Sequence, residues 1–287
     1  DTIIMRLRHR NLNFNPTKDS PAMPLPIINL GSLTVSRLIL GSNPFSGFSH
    51  QSPALDAEMM HYYSSQRIKE TLALAEQLGV TALIGRADAH MVRLLAEYWD
   101  EGGTIKWIAQ TCTEFGMPLA GALRAIKGGA SAVYLHGGQM DYLKHHDMKS
   151  EVQSALDAIH QAGLPAGVAA HMHTTLQWAA QHFEFEFHMC SYYNPSDRTQ
   201  YAGHKSGITE VYAEEDRDNM VAVIAGLPKP AIHYKIFAAG RNDPVQAFQF
   251  TAAHLRPMDA VCIGVFLKQK PDMLAEDIRL FESICLQ

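Results

Sequence analysis

Short apolar runs alternate with amphipathic segments along the chain from residue 37 onward. The runs have the length of buried strands, and the segments between them repeat apolar residues at the three- and four-residue spacing of a helix that faces a core. Each run is followed by such a segment. The predicted strands cover residues 37–41, 80–85, 105–110, 131–136, 166–171, 185–190, 232–237 and 259–264.

A strand followed by a helix and another strand predicts a parallel crossover. Eight successive units of this kind close most simply into a (β/α)8 barrel, and 287 residues is a usual length for that fold. A doubly wound open sheet is the alternative, although it rarely needs so many even units. We therefore predict one α/β TIM-barrel domain over residues 28–287, preceded by an irregular, proline-containing extension over residues 1–27.

The barrel prediction directs attention to the loops after the strands, because active sites of this fold lie at the carboxyl ends. Histidines concentrate there. In "GVAAHMHTT" (167–175), His171 and His173 end a predicted strand, and strand alternation would point both side chains the same way. A single histidine is more often a buried, hydrogen-bonded residue or a loop residue. The accumulation at one end of the barrel favours a function for at least two of them.

Several histidines at one barrel mouth are typical of a metal site, which needs about three N or O ligands and an open position for water or substrate. We predict a divalent metal ion, Zn²⁺ or Mn²⁺, at this end of the barrel. The predicted ligands are His136, His171, His173 and Glu114.

Lys235 interrupts an apolar run in the predicted seventh barrel strand. A lysine is costly to bury unless it is paired or neutral, and a neutral amine suits a base or a Schiff-base nucleophile. The alternative is that Lys235 points outward to the helices. Alternation along the strand would place either Lys235 or Tyr234 inside the barrel, but not both.

In "GRADAH" (85–90), Arg86, Asp88 and His90 share one face if the segment is extended. We predict that Arg86 holds a carboxylate or phosphate of the substrate and that Asp88 and His90 move protons. The alternative is an ion pair with Arg86 and a helix N-cap for Asp88. Further substrate contacts are predicted after other strands, at Asn43, Tyr192, Asn194 and Tyr234.

Five phrases in order along the chain resemble the aldo-keto reductase superfamily: "INLGSLTVSRLILGSNPFSG" (28–47), "SAVYLHGGQMD" (131–141), "CSYYNP" (190–195), "HYKIFAAG" (233–240) and "PDMLAEDIRLF" (271–281). The resemblance implies a barrel with an N-terminal hairpin and NADP as cofactor. It implies that His136 is the family's histidine and that Tyr234 stacks on nicotinamide. The family's catalytic Asp, Tyr and Lys fall on Gly85, His90 and Thr111, so three of its four catalytic residues are missing.

Charge, apolar runs and cysteine content bear on the partners and the compartment of the protein. A net charge of -5 argues against nucleic acid or an anionic membrane as a main partner, and no apolar run approaches the ~20 residues that span a bilayer. The four cysteines form no CxxC pair, which is typical of free thiols in a reducing compartment. We expect a cytoplasmic protein with a small-molecule partner. A removed export signal and a homo-oligomer remain open.

These patterns together predict an enzyme that acts on a small polyhydroxy or carbonyl, sugar-like substrate. The chemistry we predict is that of a metal-assisted lyase, isomerase or hydrolase, with His136, Lys235, Asp88 and His90 as catalytic groups. One alternative is an NADP-dependent oxidoreductase in which His90 replaces the family's tyrosine. Two others are a non-catalytic barrel that binds a metabolite and a Schiff-base aldolase that uses Lys235.

Overall fold

A computed structural model describes residues 25–203 and 209–286, and it shows the predicted (β/α)8 barrel. Eight parallel strands close in the order β10-β3-β4-β5-β6-β7-β8-β9. The predicted extension lies outside the described residues up to position 24. The strands are β1 (Ile27–Leu30), β2 (Leu33–Ser36), β3 (Leu38–Gly41), β4 (Ala82–Arg86), β5 (Lys106–Gln110), β6 (Ala132–Leu135), β7 (Ala166–Ala170), β8 (Phe187–Ser191), β9 (Ala231–Tyr234) and β10 (Ala260–Ile263).

The helices form the outer layer. The longest have 13 residues, and no helix within the described ranges is long and apolar enough to cross a bilayer. Their bounds are α1 (Pro53–Tyr62), α2 (Ser65–Gln77), α3 (Ala89–Asp100), α4 (Pro118–Lys127), α5 (Gly137–His145), α6 (Lys149–Gln161), α7 (His173–His182), α8 (Glu214–Ile224), α9 (Pro244–Ala252) and α10 (Met273–Cys285).

Alternation along the barrel strands divides the apolar residues into two cores. Ile39, Ile108 and Phe187 belong to a cluster inside the barrel. Their neighbours Leu40 and Trp107 belong to the larger cluster between the barrel and the helices. Because both faces of the barrel strands are buried, these strands appear in the sequence as continuous apolar runs.

The antiparallel hairpin of β1 and β2 closes the amino-terminal end of the barrel, as the family resemblance predicts. Leu30 and Val35 are fully buried and belong to the cluster inside the barrel. The hairpin is tied to the start of β4 by hydrogen bonds in both directions between Ser36 and Thr81. With this end filled, the opposite end of the barrel is left for a ligand.

We expect Leu30→Ala to lower the free energy of unfolding by about 2–5 kcal/mol, because it leaves a cavity in a close-packed core. Leu123→Ala, on the exposed face of α4, should change it by less than about 0.5 kcal/mol. Urea denaturation followed by circular dichroism measures both values. A Leu30 variant as stable as the wild type would contradict the role of the hairpin as a plug.

Candidate active site

The carboxyl end of the barrel opens into a cavity of about 800 Å³, a volume in the usual range of ligand sites. Its floor consists of inward side chains of the strands, namely Ile84, Tyr134, Met189, Tyr234 and Cys262. Polar groups from the ends of the strands stand above this floor. The cavity therefore lies where TIM barrels carry their active sites.

Lys235 and Tyr234 both line this cavity. The prediction that alternation admits only one of them is wrong, because β9 ends at Tyr234 and Lys235 leaves the extended conformation with φ 60°. Ala238 and Ala239 in the same turn are left-handed as well. Such backbone is costly for residues other than glycine and often occurs at functional sites. The turn points the amine of Lys235 toward the mouth instead of the helices.

The surroundings of Lys235 favour its neutral form. Burial lowers the pKa of its amine to about 8, and the charges of Arg198 and Arg241 act in the same direction. The carboxylate of Glu210 acts in the opposite direction and keeps the pKa from falling further. The amine is therefore partly neutral near neutral pH, which a surface lysine is not.

Glu210 comes from the segment after β8 and meets the loop after β3. Each of its carboxylate oxygens lies 3.0 Å from Nδ1 of His50, and it accepts a hydrogen bond of 2.8 Å from the hydroxyl of Tyr212. Burial alone would raise the pKa of Glu210, but these hydrogen bonds hold it at about 2. Glu210 is thus a fixed negative charge near Lys235.

Arg86 and Asn43 line the cavity, as the prediction of substrate contacts requires. The Arg86 guanidinium pairs with Asp88 at 3.3 Å and also with Glu114. Asn43 follows β3, and its Nδ2 lies 3.5 Å from Nε2 of His50. Gln110 at the end of β5 donates a hydrogen bond of 2.8 Å to the hydroxyl of Tyr134.

Asp88 and His90 do not form the predicted acid–base face. The extended segment stops because α3 begins at Ala89, and Asp88 caps this helix by accepting the N–H of Met91 at 2.8 Å. Asp88 therefore has the alternative role, an ion pair with Arg86 and the N-cap of a helix. His90 lies exposed on the first turn of α3, beside Ser65 and away from the cavity.

Tyr192 and Asn194 also lie away from the cavity. Tyr192 points outward from the barrel, where its hydroxyl meets Nδ1 of His233 at 2.9 Å and its ring packs against Phe250. The N–H of Asn194 donates to Asp216 at 3.1 Å. The prediction that these two residues contact substrate is wrong, because alternation turns Tyr192 outward and the chain has left the strand before Asn194.

His136 and His171 lie side by side after β6 and β7, with ring centroids 6.3 Å apart. Both continue the inward faces of their strands, since Tyr134 and Ala169 two residues earlier belong to the interior cluster. His136 caps α5, and its Nδ1 accepts the N–H of Gly138 at 3.1 Å. His171 pairs through Nδ1 with Asp141 at 3.1 Å.

Ala202, in the segment after β8, packs against the start of α5, where His136 is the N-cap. The space is so close that a Cβ on Gly138 would lie 2.3 Å from the carbonyl oxygen of Ala202. The pair therefore stands beside the main cavity and does not line it. Burial lowers the pKa of both rings, and the charge of Lys235 contributes to the lowering in each case. The histidines and the lysine thus share one electrostatic environment.

Of the four predicted metal ligands only His136 and His171 lie next to each other. His173 does not point along with His171, because β7 ends at Ala170 and His173 begins α7. Glu114 is more than half exposed and pairs with Arg86. Within residues 25–203 and 209–286 there is no group of three His, Cys, Asp or Glu side chains that could hold a metal ion. These residues do not fit the predicted metal centre, and we derive no step through a metal.

Sequence reasoning missed Asp141, Arg198 and the pair of His50 and Glu210. Asp141 lies in the quoted phrase "SAVYLHGGQMD", five residues after His136, and only the helix that starts at Gly137 turns its carboxylate toward β7. His50 and Glu210 are 160 residues apart. No local pattern predicts such a contact between two loops.

Comparison with solved structures supports the fold. A putative aldo-keto reductase from Pseudomonas aeruginosa matches 91% of this chain and 94% of its own with a TM-score of 0.60 and 18% identity. The match to a truncated 3-deoxy-D-arabino-heptulosonate 7-phosphate synthase from Thermotoga maritima has a TM-score of 0.52 and 12% identity, and covers 92% of this chain and 90% of that one. The chain has an aldo-keto-reductase-like (β/α)8 fold.

No protein-family model and no curated protein matches the sequence. At these identities the structural matches establish the fold alone. They agree with the resemblance in the sequence, which predicted both the barrel and its hairpin. The chemistry of the mouth has to be inferred from the side chains themselves.

We expect the amine of Lys235 to titrate near pH 8 in the folded protein. Competitive acylation with acetic anhydride over pH 6–11, with Nα-acetyl-lysine as internal standard and mass spectrometry of the peptides, measures this value. The standard should titrate near the ordinary lysine pKa of about 10.4. A midpoint for Lys235 equal to that of the standard would contradict the environment described above.

In Glu210→Gln the titration midpoint of Lys235 should move to lower pH, because the charge that favours the ammonium form is removed. The matched control is Glu215→Gln, an exposed position on α8, which should leave the midpoint unchanged.

Proposed function

We propose that this protein is an enzyme that acts on a small polyhydroxy carbonyl compound and that the amine of Lys235 is the reacting group. One observation carries the proposal: a lysine whose pKa is lowered to about 8 lines a cavity of about 800 Å³ at the carboxyl end of the barrel. A neutral amine is the form that attacks a carbonyl, and desolvation is a known way to obtain it in proteins.

The reaction begins when the lone pair of the neutral Lys235 amine attacks the carbonyl carbon. One proton moves from nitrogen to oxygen to give a carbinolamine, whose hydroxyl takes up a proton from solvent and leaves as water, while the nitrogen keeps its remaining proton. The product is a protonated imine between Lys235 and the substrate. Its positive nitrogen accepts the electron pair of a C–H or C–C bond at the carbon next to the imine carbon, so that this bond is weakened. This is the chemistry of a lyase or isomerase.

The remaining cavity groups suit a hydroxylated ligand. Asn43, Gln110 and Asn242 line the cavity with side-chain amides, which both donate and accept hydrogen bonds. Arg86 adds a cationic group, although Asp88 and Glu114 already pair with it. Met189 and Ile84 supply an apolar floor for the carbon face of the ligand. Such a mixture of a few polar groups on an apolar base is typical of small-molecule sites.

We expect borohydride to trap a small carbonyl compound on Lys235. The protein is incubated in turn with glyceraldehyde, dihydroxyacetone and pyruvate, sodium borohydride reduces any imine to a stable secondary amine, and the mass of the Lys235 peptide is measured. At least one compound should add its mass to this peptide. Lys235→Arg keeps a positive charge but cannot form the imine, and should show no adduct. His90→Ala should trap as the wild type does, since His90 lies outside the cavity. If wild type and Lys235→Arg gave the same adducts, the proposal would fail.

A second candidate is the nicotinamide-dependent oxidoreductase that the family resemblance implies. It is favoured by the length of the cavity, which continues from the mouth between the turn after β9 and the start of α10. Phe237, Asn242 and Gln269 line this arm and would hold an extended ligand. The arm also carries Asp277, a buried carboxyl whose pKa burial raises to about 7. The catalytic residues of the family remain absent at the mouth.

Titration with NADPH and NADH tests this candidate. If the arm holds a nicotinamide cofactor, either compound should change its fluorescence saturably and raise the Tm, because a ligand that binds only the folded state stabilises it. Lys235→Arg should leave that binding in place. If neither compound has an effect, the oxidoreductase is excluded. If borohydride trapping fails as well, a non-catalytic metabolite-binding barrel is the remaining alternative.

A further inference from the structure

His50, in the loop after β3, lines the same cavity as Lys235. Its side chain is only 14% exposed, and its backbone is left-handed with φ 57°, which is costly for a residue other than glycine and often occurs at functional sites. Nη2 of Arg241 donates a hydrogen bond of 2.8 Å to the carbonyl oxygen of His50. Nε2 of Gln51 donates one of 2.6 Å to the carbonyl oxygen of Ala239. The loop of His50 is therefore bonded to the turn that carries Lys235.

The carboxylate of Glu210 connects the ring of His50 with the amine of Lys235. Both carboxylate oxygens lie 3.0 Å from Nδ1 of His50, and the negative charge favours the ammonium form of Lys235. Lys235 in turn is among the groups that lower the pKa of Glu210. The imidazole and the amine thus lie around one shared negative charge.

Glu210 also decides which nitrogen of His50 is basic. The pKa of Glu210 is about 2, so it is ionised near pH 7 and can only accept a hydrogen bond. Nδ1 of His50 has to donate to it, and the lone pair of the neutral ring is then on Nε2. This atom lies 3.5 Å from Nδ2 of Asn43, which also lines the cavity. The carboxylate stabilises the imidazolium that forms when Nε2 takes up a proton.

Other titratable groups at the mouth of the cavity are poor bases near neutral pH. Burial raises the pKa of Cys262 to about 12, and it raises the pKa of both Tyr134 and Tyr234 well above the ordinary tyrosine value. These three side chains therefore keep their protons. Arg86 is a cation in ion pairs.

The carboxyl groups that line the cavity belong to its arm, on α10 or at the cap of α9: Asp243, Glu276 and Asp277. Of the described residues that line the mouth, His50 is thus the one that can accept a proton at the end of the cavity where Lys235 lies.

We propose that His50 is the base that removes a proton from the carbon next to the imine carbon when a carbonyl compound is bound to Lys235. Nε2 of His50 accepts this proton. Glu210 is a positioning residue, because it holds the ring through Nδ1 and touches no substrate. The inference rests on the proposed function of Lys235 and names the group that completes it.

The proton balance is closed and Lys235 is released. The electron pair of the C–H bond moves to the positive nitrogen of the imine and leaves a neutral enamine, while the proton goes to Nε2 of His50. The enamine carbon then takes a proton back from the imidazolium, or it attacks the carbonyl carbon of a second compound, whose new alkoxide takes that proton. Either path restores the protonated imine and the neutral ring. Water adds to the imine and returns the solvent proton, the Lys235 amine and the carbonyl compound.

Exchange of carbon-bound hydrogen in D₂O measures the proposed step. The probe is whichever of glyceraldehyde, dihydroxyacetone and pyruvate borohydride traps on Lys235, because each carries hydrogen on the carbon next to its carbonyl group. We expect the wild type to exchange this hydrogen faster than buffer does, and His50→Gln to lower the protein-dependent rate by about 100-fold or more. The matched control is His61→Gln, an exposed histidine of α1 outside the cavity, which should leave the rate unchanged.

Two measurements distinguish a base from a structural residue. Borohydride trapping on Lys235 should persist in His50→Gln, because formation of the imine takes its proton from solvent. In His50→Ala, added imidazole should restore exchange in proportion to its concentration, because loss of the ring leaves space for a replacement base. Loss of trapping together with exchange, and no rescue by imidazole, would show that His50 only supports the site and would overturn the inference.

The positioning role of Glu210 is tested by a pair of variants. Glu210→Gln should lower exchange while trapping persists, and Glu210→Asp should retain more of the exchange rate because it keeps the carboxylate. Glu215→Gln, at an exposed position on α8, should behave as the wild type does. Equal rates in Glu210→Gln and Glu210→Asp would show that the carboxylate has no part in the step.

A crystal structure of the borohydride-reduced adduct of the wild type tests the reach of His50 without any variant. The carbon next to the trapped carbon should lie about 3.5 Å from Nε2 of His50, the separation of two reacting atoms. A position that Nε2 cannot reach even through one water would overturn the inference, and the adduct on Lys235 would still stand.

The outcomes separate this inference from the proposed function. Unchanged exchange in His50→Gln, or a wild type that traps a carbonyl compound and exchanges none of its hydrogen, overturns the role of His50 and leaves that of Lys235 in place. If the wild type traps none of the three compounds, the proposed function fails by its own test, and the role of His50 fails with it.

Discussion

Closure of eight parallel strands into one ring is the constraint on which the rest of the structure depends. Once the ring is closed, alternate side chains have to face a narrow interior and the others have to face helices. The hairpin of β1 and β2 fills one end of this interior. On β6 the same parity places Tyr134 in the cavity floor and His136 one pleat above it, and on β7 it places His171 above Ala169.

The candidate active site lies where the alternation of side chains along the barrel strands ends. At Lys235 the chain turns into the left-handed region, so two consecutive residues reach the same cavity. A non-glycine residue in that conformation carries a strain of order 1–3 kcal/mol, which the surrounding structure has to offset. Beside this turn, His50 of the loop after β3 forms one hydrogen-bonded unit with Glu210 and Tyr212 of the segment after β8, and the His50 carbonyl accepts a hydrogen bond from Arg241. That unit also sets the charge near the amine.

Burial gives this site groups that are neutral or partly neutral near pH 7. It lowers the pKa of Lys235, His136 and His171 alike, and the cations around them strengthen the effect. Hydrogen bonds from α5 hold the two rings: the N–H of Gly138 donates to Nδ1 of His136, and the Asp141 carboxylate pairs with Nδ1 of His171.

The apolar periodicity of the sequence determined the eight strands, the helices between them and the barrel, because each of those features follows from a local pattern with a fixed spacing. It also determined that His136, His171, Lys235, Arg86 and Asn43 would stand at strand ends. It did not determine which side chains face one another. His90, Tyr192 and His173 were placed wrongly because each lies within three residues of a strand end or helix start, where a change of one residue reverses the direction of a side chain. Asp141 and Glu210 act through contacts with residues distant along the chain, and such contacts exist only after the strands have closed and the loops have packed on them.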